Sequence, residues 1–476
     1  MLAAKSGRVG RVGQVVADSE LRGHWLHDWI TKHVRHSPAR SAVILFIGVC
    51  LVVAALLSLP ISTSEGHRPP YLTALFTAVS AVCVNGLTIV DTGTYWSIFG
   101  QFVIMLAVAG GGLGIMTTAS ILGLVVSRRL GLTQRLLMAS ETKVGRLGDI
   151  RALVRVVIIT SLICELLIAA LIFPRFVYLY RDPLPAAWHA LFYGVSAFNN
   201  AGFVPTPHGL SRYTGDWLIC LPLILGVFIG SLGFPVILNI FSVQKRRLHH
   251  WRNWSLHSKL TVSTSLFLLL FGFIGFILFE FNNPLTIADL PHNTQVLTAL
   301  FAAVMPRSGG FSTIAPANYT PATRLITEML MFVGGGAAGT AGGIKVTTFA
   351  VLVLAIRAEA RGDKDIEVFH RRIPSEAIRV AVGVLVVAAL LIVAGTLAIL
   401  SLSDGSLDEV LFEVHSAFGT VGLTDGLAER LVPTGKVVLI LLMFIGRIGT
   451  MTLAAALALR DRQRQIRYPE ERPIIG

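Results

Sequence analysis

Four short stretches of this chain carry residues suited to binding an ion through the backbone. They are Ser80-Ala81-Val82-Cys83-Val84-Asn85-Gly86-Leu87, Ser196-Ala197-Phe198-Asn199-Asn200-Ala201-Gly202-Phe203, Met305-Pro306-Arg307-Ser308-Gly309-Gly310-Phe311 and Ser416-Ala417-Phe418-Gly419-Thr420-Val421-Gly422-Leu423. Their glycines at 86, 202, 310 and 422 recur about every 110 residues, so one unit is used four times. Leu75-Phe76, Leu191-Phe192, Leu300-Phe301 and Leu411-Phe412 precede the glycines at nearly matching distances. Glycine serves where backbone needs positive φ or must come close to a neighbour. Carbonyl oxygens presented by such backbone can replace the hydration shell of a dehydrated cation. The four stretches contain no carboxylate. Neutral ligands suit a weakly hydrated monovalent ion that must also leave quickly, whereas a divalent ion calls for carboxylates.

The elements that must position these turns follow from composition. Of 476 residues, 54% are hydrophobic and only 14% charged, with mean hydropathy +0.70. A soluble domain carries about 25% charged residues. The apolar residues gather in runs of about 20, the length that spans a bilayer core. Before each glycine stands an apolar segment of about 11 residues or fewer, too short to cross and readable as a re-entrant half-helix. Each unit therefore reads outer helix, half-helix, glycine turn, inner helix. The ranges are 42–59, 72–82 and 99–126; then 154–173, 188–197 and 217–241; then 260–279, 295–304 and 325–356; then 378–400, 410–417 and 436–459. Two full spans per unit return the chain to its starting side, so the units can be related by an axis along the membrane normal. The expected fold class is an all-α polytopic membrane protein whose four tandem helix–pore-helix–helix repeats form a pseudo-tetrameric ion pore. The divisions are a basic tail 1–41, repeats at 42–126, 127–241, 242–356 and 357–459, each of the last three with its preceding linker, and a tail 460–476.

Charge gives the sidedness. Segments 1–41, 127–153, 242–259, 357–379 and 460–476 hold 29 of the 40 Lys and Arg residues. By the positive-inside rule these linkers and both termini are cytoplasmic and the glycine turns open from outside. Topology thus accounts for most of the net charge of +13, and nucleic acid is not needed to explain it. Four half-helices around an axis aim their C-terminal ends, which carry partial negative charge, at one point near the membrane centre.

Two features break the fourfold pattern. Residues 334–343 hold six glycines within an apolar span. Glycine costs up to about 1 kcal/mol per helical position, so this stretch should unwind. Close helix packing is the alternative. Lys345 follows directly, either as a snorkelling residue or as a cation directed at the pore. Arg447 lies well inside the last span, and a cation there is expensive and usually functional. It either holds the glycine loop by its carbonyls or sets a positive barrier below the turns; a structural pair with Glu165 or Glu328 is the remaining option. Arg307, three residues before Gly310, should point away from the axis and hold neighbouring backbone carbonyls.

Other chemistries find no support. Gly110-Gly111-Gly112-Leu113-Gly114 lies inside a span, outside the strand–helix context of a phosphate loop. The thirteen histidines include no HExxH pair, and no run of regularly spaced arginines suggests a voltage sensor. Cys50, Cys83, Cys164 and Cys220 lack metal-ligand spacing and read as small buried hydrophobes.

Together with Gly334-Gly335-Gly336-Ala337-Ala338-Gly339-Thr340-Ala341-Gly342-Gly343-Ile344-Lys345, Phe444-Ile445-Gly446-Arg447-Ile448-Gly449 and Arg467-Tyr468-Pro469-Glu470-Glu471, the four turns make the chain resemble the Trk/Ktr/HKT superfamily of potassium-translocating membrane subunits, and among them the Ktr-type bacterial subunit. The resemblance covers nearly the whole chain apart from the basic N-terminal tail. It implies potassium uptake across the bacterial plasma membrane, promoted by sodium in many Ktr-type members, with no cofactor bound by this chain beyond the transported K⁺ and an activating Na⁺. It implies a homodimer in the lipid bilayer, on a cytosolic nucleotide-binding regulatory ring. A filter is implied at Val82, Cys83, Val84, Asn85 and Gly86; Phe198, Asn199, Asn200, Ala201 and Gly202; Arg307, Ser308, Gly309 and Gly310; and Phe418, Gly419, Thr420, Val421 and Gly422. K⁺ would sit at carbonyls around Gly86, Gly202, Gly310 and Gly422. The implied gate comprises Gly334, Gly335, Gly336, Gly339, Thr340, Gly342, Gly343, Lys345 and Arg447. Sodium-preferring plant relatives carry serine at the first filter glycine, so Gly86 favours potassium; a sodium-selective or poorly selective member is the alternative. Asn85 departs from the threonine common in relatives.

Overall fold

The structure, a computed structural model, describes residues 38–129, 150–245 and 251–449. Most of the tail 1–41, the bulk of linker 127–153, residues 246–250 of the next linker, and everything from residue 450 onward lie outside the described residues. The chain divides at Val49 into two units. Of Met1–Val49, the described part is the beginning of one helix; the half-helices, turns and inner helices all belong to Cys50–Gly476.

The described chain is almost wholly helical. The first repeat holds α1 (Pro38–Leu57), α2 (Tyr71–Val82) and α3 (Ile98–Arg129). The second holds α4 (Ile150–Tyr180), α5 (Pro183–Phe198), α6 (Trp217–Leu232) and α7 (Phe234–Lys245). The third holds α8 (Leu256–Glu280), α9 (His292–Val304), α10 (Pro321–Phe332) and α11 (Val346–Arg361). The fourth holds α12 (Ser375–Leu400), α13 (Leu407–Gly419) and α14 (Pro433–Phe444), which runs into a π turn at Ile445–Gly449. Outer helices α4, α8 and α12 are long and apolar enough to cross a membrane. Their outward stripes, such as Ile163 and Leu167, Leu270 and Ile274, Leu390 and Val393, stay exposed, as lipid-facing positions would.

The short helices α2, α5, α9 and α13 start where local chemistry lets them. Asp182 accepts from the Leu184 amide at 3.0 Å and Pro183 opens α5, so this half-helix begins earlier than the apolar run at 188. Ser406 and Glu409 form a capping box that starts α13 before 410. The repeats close into a ring. Inner helix α3 packs on α5, α6 on α9, α10 on α13, and α14 on α2. Each inner helix supports the next repeat's half-helix, and the last supports the first.

The inner segments depart from the continuous spans read in the sequence. The span 217–241 breaks at Gly233, whose φ is 90°, and turns by 98° between Trp217–Leu232 and Phe234–Ile240. Pro235, in the first turn of α7, has no N–H to continue the helix before it. The span 325–356 opens at 333–345, as its glycines require. Between repeats three and four, β1 (Ile366–Val368) pairs with β2 (Arg371–Ile373). Phe369 and His370 both have positive φ, which suits a two-residue primed hairpin turn. Ile366 and Ile373 are buried with Leu260, Ala350 and Ala358.

Candidate ion-conducting site

The four glycines meet. A Cβ built on Gly86 would lie 3.2 Å from the Gly202 Cα; on Gly202, 2.8 Å from the Gly310 Cα; on Gly310, 3.4 Å from the Gly422 Cα; on Gly422, 3.0 Å from the Gly86 Cα. That is a closed circuit with no space for a side chain between neighbours. Their φ values are 92°, 67°, 72° and 95°. Two residues before each stands a second left-handed residue, Val84 (53°), Asn200 (60°), Ser308 (77°) and Thr420 (47°). Such conformations are uncommon for non-glycine residues and cluster where structure over-determines them. Their recurrence at one position in all four quadrants marks a shared backbone path, distinct from a regular strand in which successive carbonyls alternate sides.

The same hydrogen bonds hold that path. The amides of Asn85, Ala201 and Val421 donate to the carbonyls of Ser80, Ser196 and Ser416 at 2.8, 2.8 and 2.9 Å. The Ser80 and Ser416 hydroxyls accept the Gly86 and Gly422 amides, each at 3.1 Å, while the Ser196 hydroxyl donates to the Phe203 carbonyl at 2.8 Å. The third quadrant has Val304 in place of the serine, and the Gly310 amide donates to the Met305 carbonyl at 3.3 Å.

Behind the ring, the quadrants differ in how a side chain reaches the outer helix. The position three before the glycine holds Cys83, Asn199, Arg307 or Gly419. Cys83 faces the Cys50 thiol of α1. Asn199 Nδ2 donates to Glu165 Oε1 of α4 at 2.7 Å. Arg307 donates from Nη1 to the Ser265 carbonyl at 3.0 Å and from Nη2 to the Ser265 hydroxyl at 2.9 Å. Arg307 thus reaches outward to α8. Gly419 has no side chain to tie. The inner helices come in closely through glycines: a Cβ on Gly111, Gly230 or Gly446 would overlap the carbonyl of Val82, Phe198 or Phe418, three equivalent residues at the feet of the half-helices. The glycine-rich run of α3 is therefore a packing surface.

Beneath the ring lies the segment between α10 and α11. Its stem closes through the Gly334 amide to the Ile344 carbonyl at 2.9 Å and the Val346 amide to the Gly335 carbonyl at 3.0 Å. It docks in the break of the second repeat: the Gly336 amide donates to the Ser231 carbonyl at 2.7 Å, and the Phe234 amide to the Ala338 carbonyl at 3.2 Å. Its tip touches the turns. The Thr340 hydroxyl donates to the Phe198 carbonyl at 3.2 Å, and the Gly342 amide donates to the Ser308 hydroxyl at 3.2 Å. Lys345 Nζ bonds back to the Ala341 carbonyl at 2.7 Å. Arg447 is buried, with Nη1 3.5 Å from Thr420 Oγ1. Its Nε and Nη2 have no hydrogen-bond partner among the described residues. Neither Glu165 nor Glu328 pairs with it; Glu165 is taken by Asn199. Arg447 and Lys345 are thus the basic side chains that the last inner helix and the loop bring below the turns.

The structure thus brings together all four turns, the loop and Arg447. Sequence reading missed Gly233, Ser231, Glu165 and Ser265 as their supports. Gly233-Phe234-Pro235 carried a signal for the break; the others show only in three dimensions. Among the described residues, no group of three or more His, Cys, Asp or Glu side chains could hold a metal ion.

Residues 27–466 match the family model for TrkH, described as a cation transport protein. The chain is 36% identical to the Ktr system potassium uptake protein B of Bacillus subtilis over 449 residues, 94% of this chain and 99% of that protein. It is 35% identical to the Ktr system potassium uptake protein B of Vibrio alginolyticus, over 92% of this chain and 94% of that one. The crystal structure of the potassium transporter TrkH from Vibrio parahaemolyticus superimposes with a TM-score of 0.64 at 19% identity, covering 85% of this chain and 83% of that one, and so shares the fold.

Proposed function

Because this chain belongs to the TrkH family of cation transport proteins, we propose that it is the membrane component of a Ktr-type potassium uptake system, working as a gated pore. The observation that carries the pore reading is the closed circuit of Gly86, Gly202, Gly310 and Gly422 at the ends of four half-helices. The negative ends of those helices favour a cation at their meeting point. The turns supply carbonyl oxygens in place of water, and neutral ligands let the ion move on. No nucleotide fingerprint stands in the sequence, so the energy comes from the membrane potential and ion gradients. The loop at 334–343 and Arg447 form the gate beneath the filter, because both touch the turns from below.

Both termini and the basic linkers face the cytoplasm, where a regulatory nucleotide-binding ring docks, and the pore works as a homodimer with one path per protomer. External sodium acts as an activator. The test is growth of a bacterium lacking its own potassium uptake systems at low K⁺. Rescue by this chain with its cytosolic partner supports the reading; failure to rescue despite good membrane expression contradicts it.

A further inference from the structure

We propose that the Ser308 hydroxyl couples the position of the glycine loop to the filter, so that ion discrimination depends on whether the loop is docked. This rests on the reading of the four turns as filter and of 334–343 as gate. Ser308 is fully buried. Its Oγ–H donates to the Thr420 carbonyl at 2.6 Å, crossing from the third quadrant to the fourth. Its lone pair accepts the Gly342 amide of the loop at 3.2 Å. One hydroxyl therefore holds a loop amide on one side and a filter carbonyl on the other.

A serine hydroxyl has a single proton to give. Accepting the Gly342 N–H polarises it and strengthens its donation to Thr420. When the loop leaves, the buried hydroxyl loses that partner and is free to rotate. The Thr420 carbonyl is then released as a ligand in the fourth quadrant. That quadrant is the one able to respond, since Gly419 gives it no side-chain tie to its outer helix. Contact with the loop is close there: a Cβ on Gly342 would overlap the Thr420 hydroxyl. The same register position recurs in the other quadrants with a graded link to the loop. Asn200 lies 3.1 Å from the Thr340 hydroxyl, whereas Val84 offers no polar group.

The test is a double-mutant cycle on the K⁺ to Na⁺ flux ratio in proteoliposomes. Ser308→Gly removes the hydroxyl and tolerates the φ of 77°. It is measured in the full chain and in a chain with residues 336–341 deleted; Gly342→Ala replaces the deletion if the shortened chain does not reach the membrane. The coupling predicts a change in the ratio of about three- to ten-fold in the full chain, the worth of one buried hydrogen bond, and no further change once the loop is removed. An equal change in both backgrounds, or none in either, overturns the coupling. The filter reading is judged separately, by substitution of Gly86.

Discussion

Asn85 Nδ2 donates to the Ala417 carbonyl at 3.0 Å, joining the first glycine turn to the foot of the fourth half-helix. The two residues come from opposite ends of the chain and meet because α14 closes the ring on α2. Asn85 Oδ1 accepts the Leu87 amide at 3.1 Å. Both ends of the amide are thus used on protein, so this side chain braces the turn and is committed away from the ion.

Asn85→Ala removes that brace and leaves the buried Leu87 amide without its acceptor. Unpaired buried polar groups cost about 1–3 kcal/mol. Thermal unfolding in detergent should show a lower Tm than the parent. Asn85→Thr keeps a polar group yet is too short to span both partners, and should fall between. A Tm unchanged in both variants would show that the inter-repeat bond carries no stability.

Arg307 ties the third turn to α8 through two bonds to Ser265. Arg307→Lys keeps the charge but lacks the planar fork that reaches the carbonyl and the hydroxyl together. Loss of one charge-assisted bond is worth about 1.5–3 kcal/mol. The variant should lose folded yield and transport together, whereas Ser265→Ala, which spares the carbonyl bond, should lose less. Full yield and flux in Arg307→Lys would mean that the pair does not hold the turn.

Gly233 receives the loop. Its φ is 90°, and a Cβ there would overlap the Ala337 carbonyl. Gly233→Ala should loosen the docked loop and raise basal K⁺ flux in the direction expected for deletion of the loop itself. Reduced flux at normal membrane expression would place the loop on the open side of the equilibrium.

Arg447→Ala should raise flux as well, for either of two reasons: loss of the Thr420 contact, or removal of a buried positive charge beneath the glycine turns. Each ~1.4 kcal/mol taken from the barrier is worth about ten-fold in rate. Arg447→Gln separates the reasons, since it keeps a donor without the charge. A Gln variant as fast as the Ala variant points to the charge; one as slow as the parent points to the contact. Parent-like flux in both contradicts a gating role for Arg447.

Much of this architecture was legible in the sequence because glycine and apolar length report local needs. Gly86, Gly202, Gly310 and Gly422 announced the ring by recurrence, and six glycines in 334–343 announced the break in the third inner helix. The second break stayed hidden because 217–241 is apolar throughout, and only Gly233 with Pro235 hinted at it. The side-chain ties Asn199 to Glu165 and Arg307 to Ser265 were not legible. A lone glutamate on α4 and one serine among several on α8 carry no sign of a partner dozens of residues away. The docking of the loop across Ser231 and Phe234 was hidden for the same reason, since it is backbone bonding between elements that are not adjacent in sequence.

If the ring of glycines selects the ion, Gly86→Ser must disturb the selection. The substitution places a Cβ against the Ala201 carbonyl and the Gly202 Cα, at a φ of 92° that side chains rarely adopt. Ion flux in liposomes should be compared for K⁺ and Na⁺ in the parent and the variant, at matched protein incorporation. The parent should favour K⁺ and the variant should discriminate less. A K⁺ to Na⁺ ratio unchanged by Gly86→Ser would refute selection by the ring.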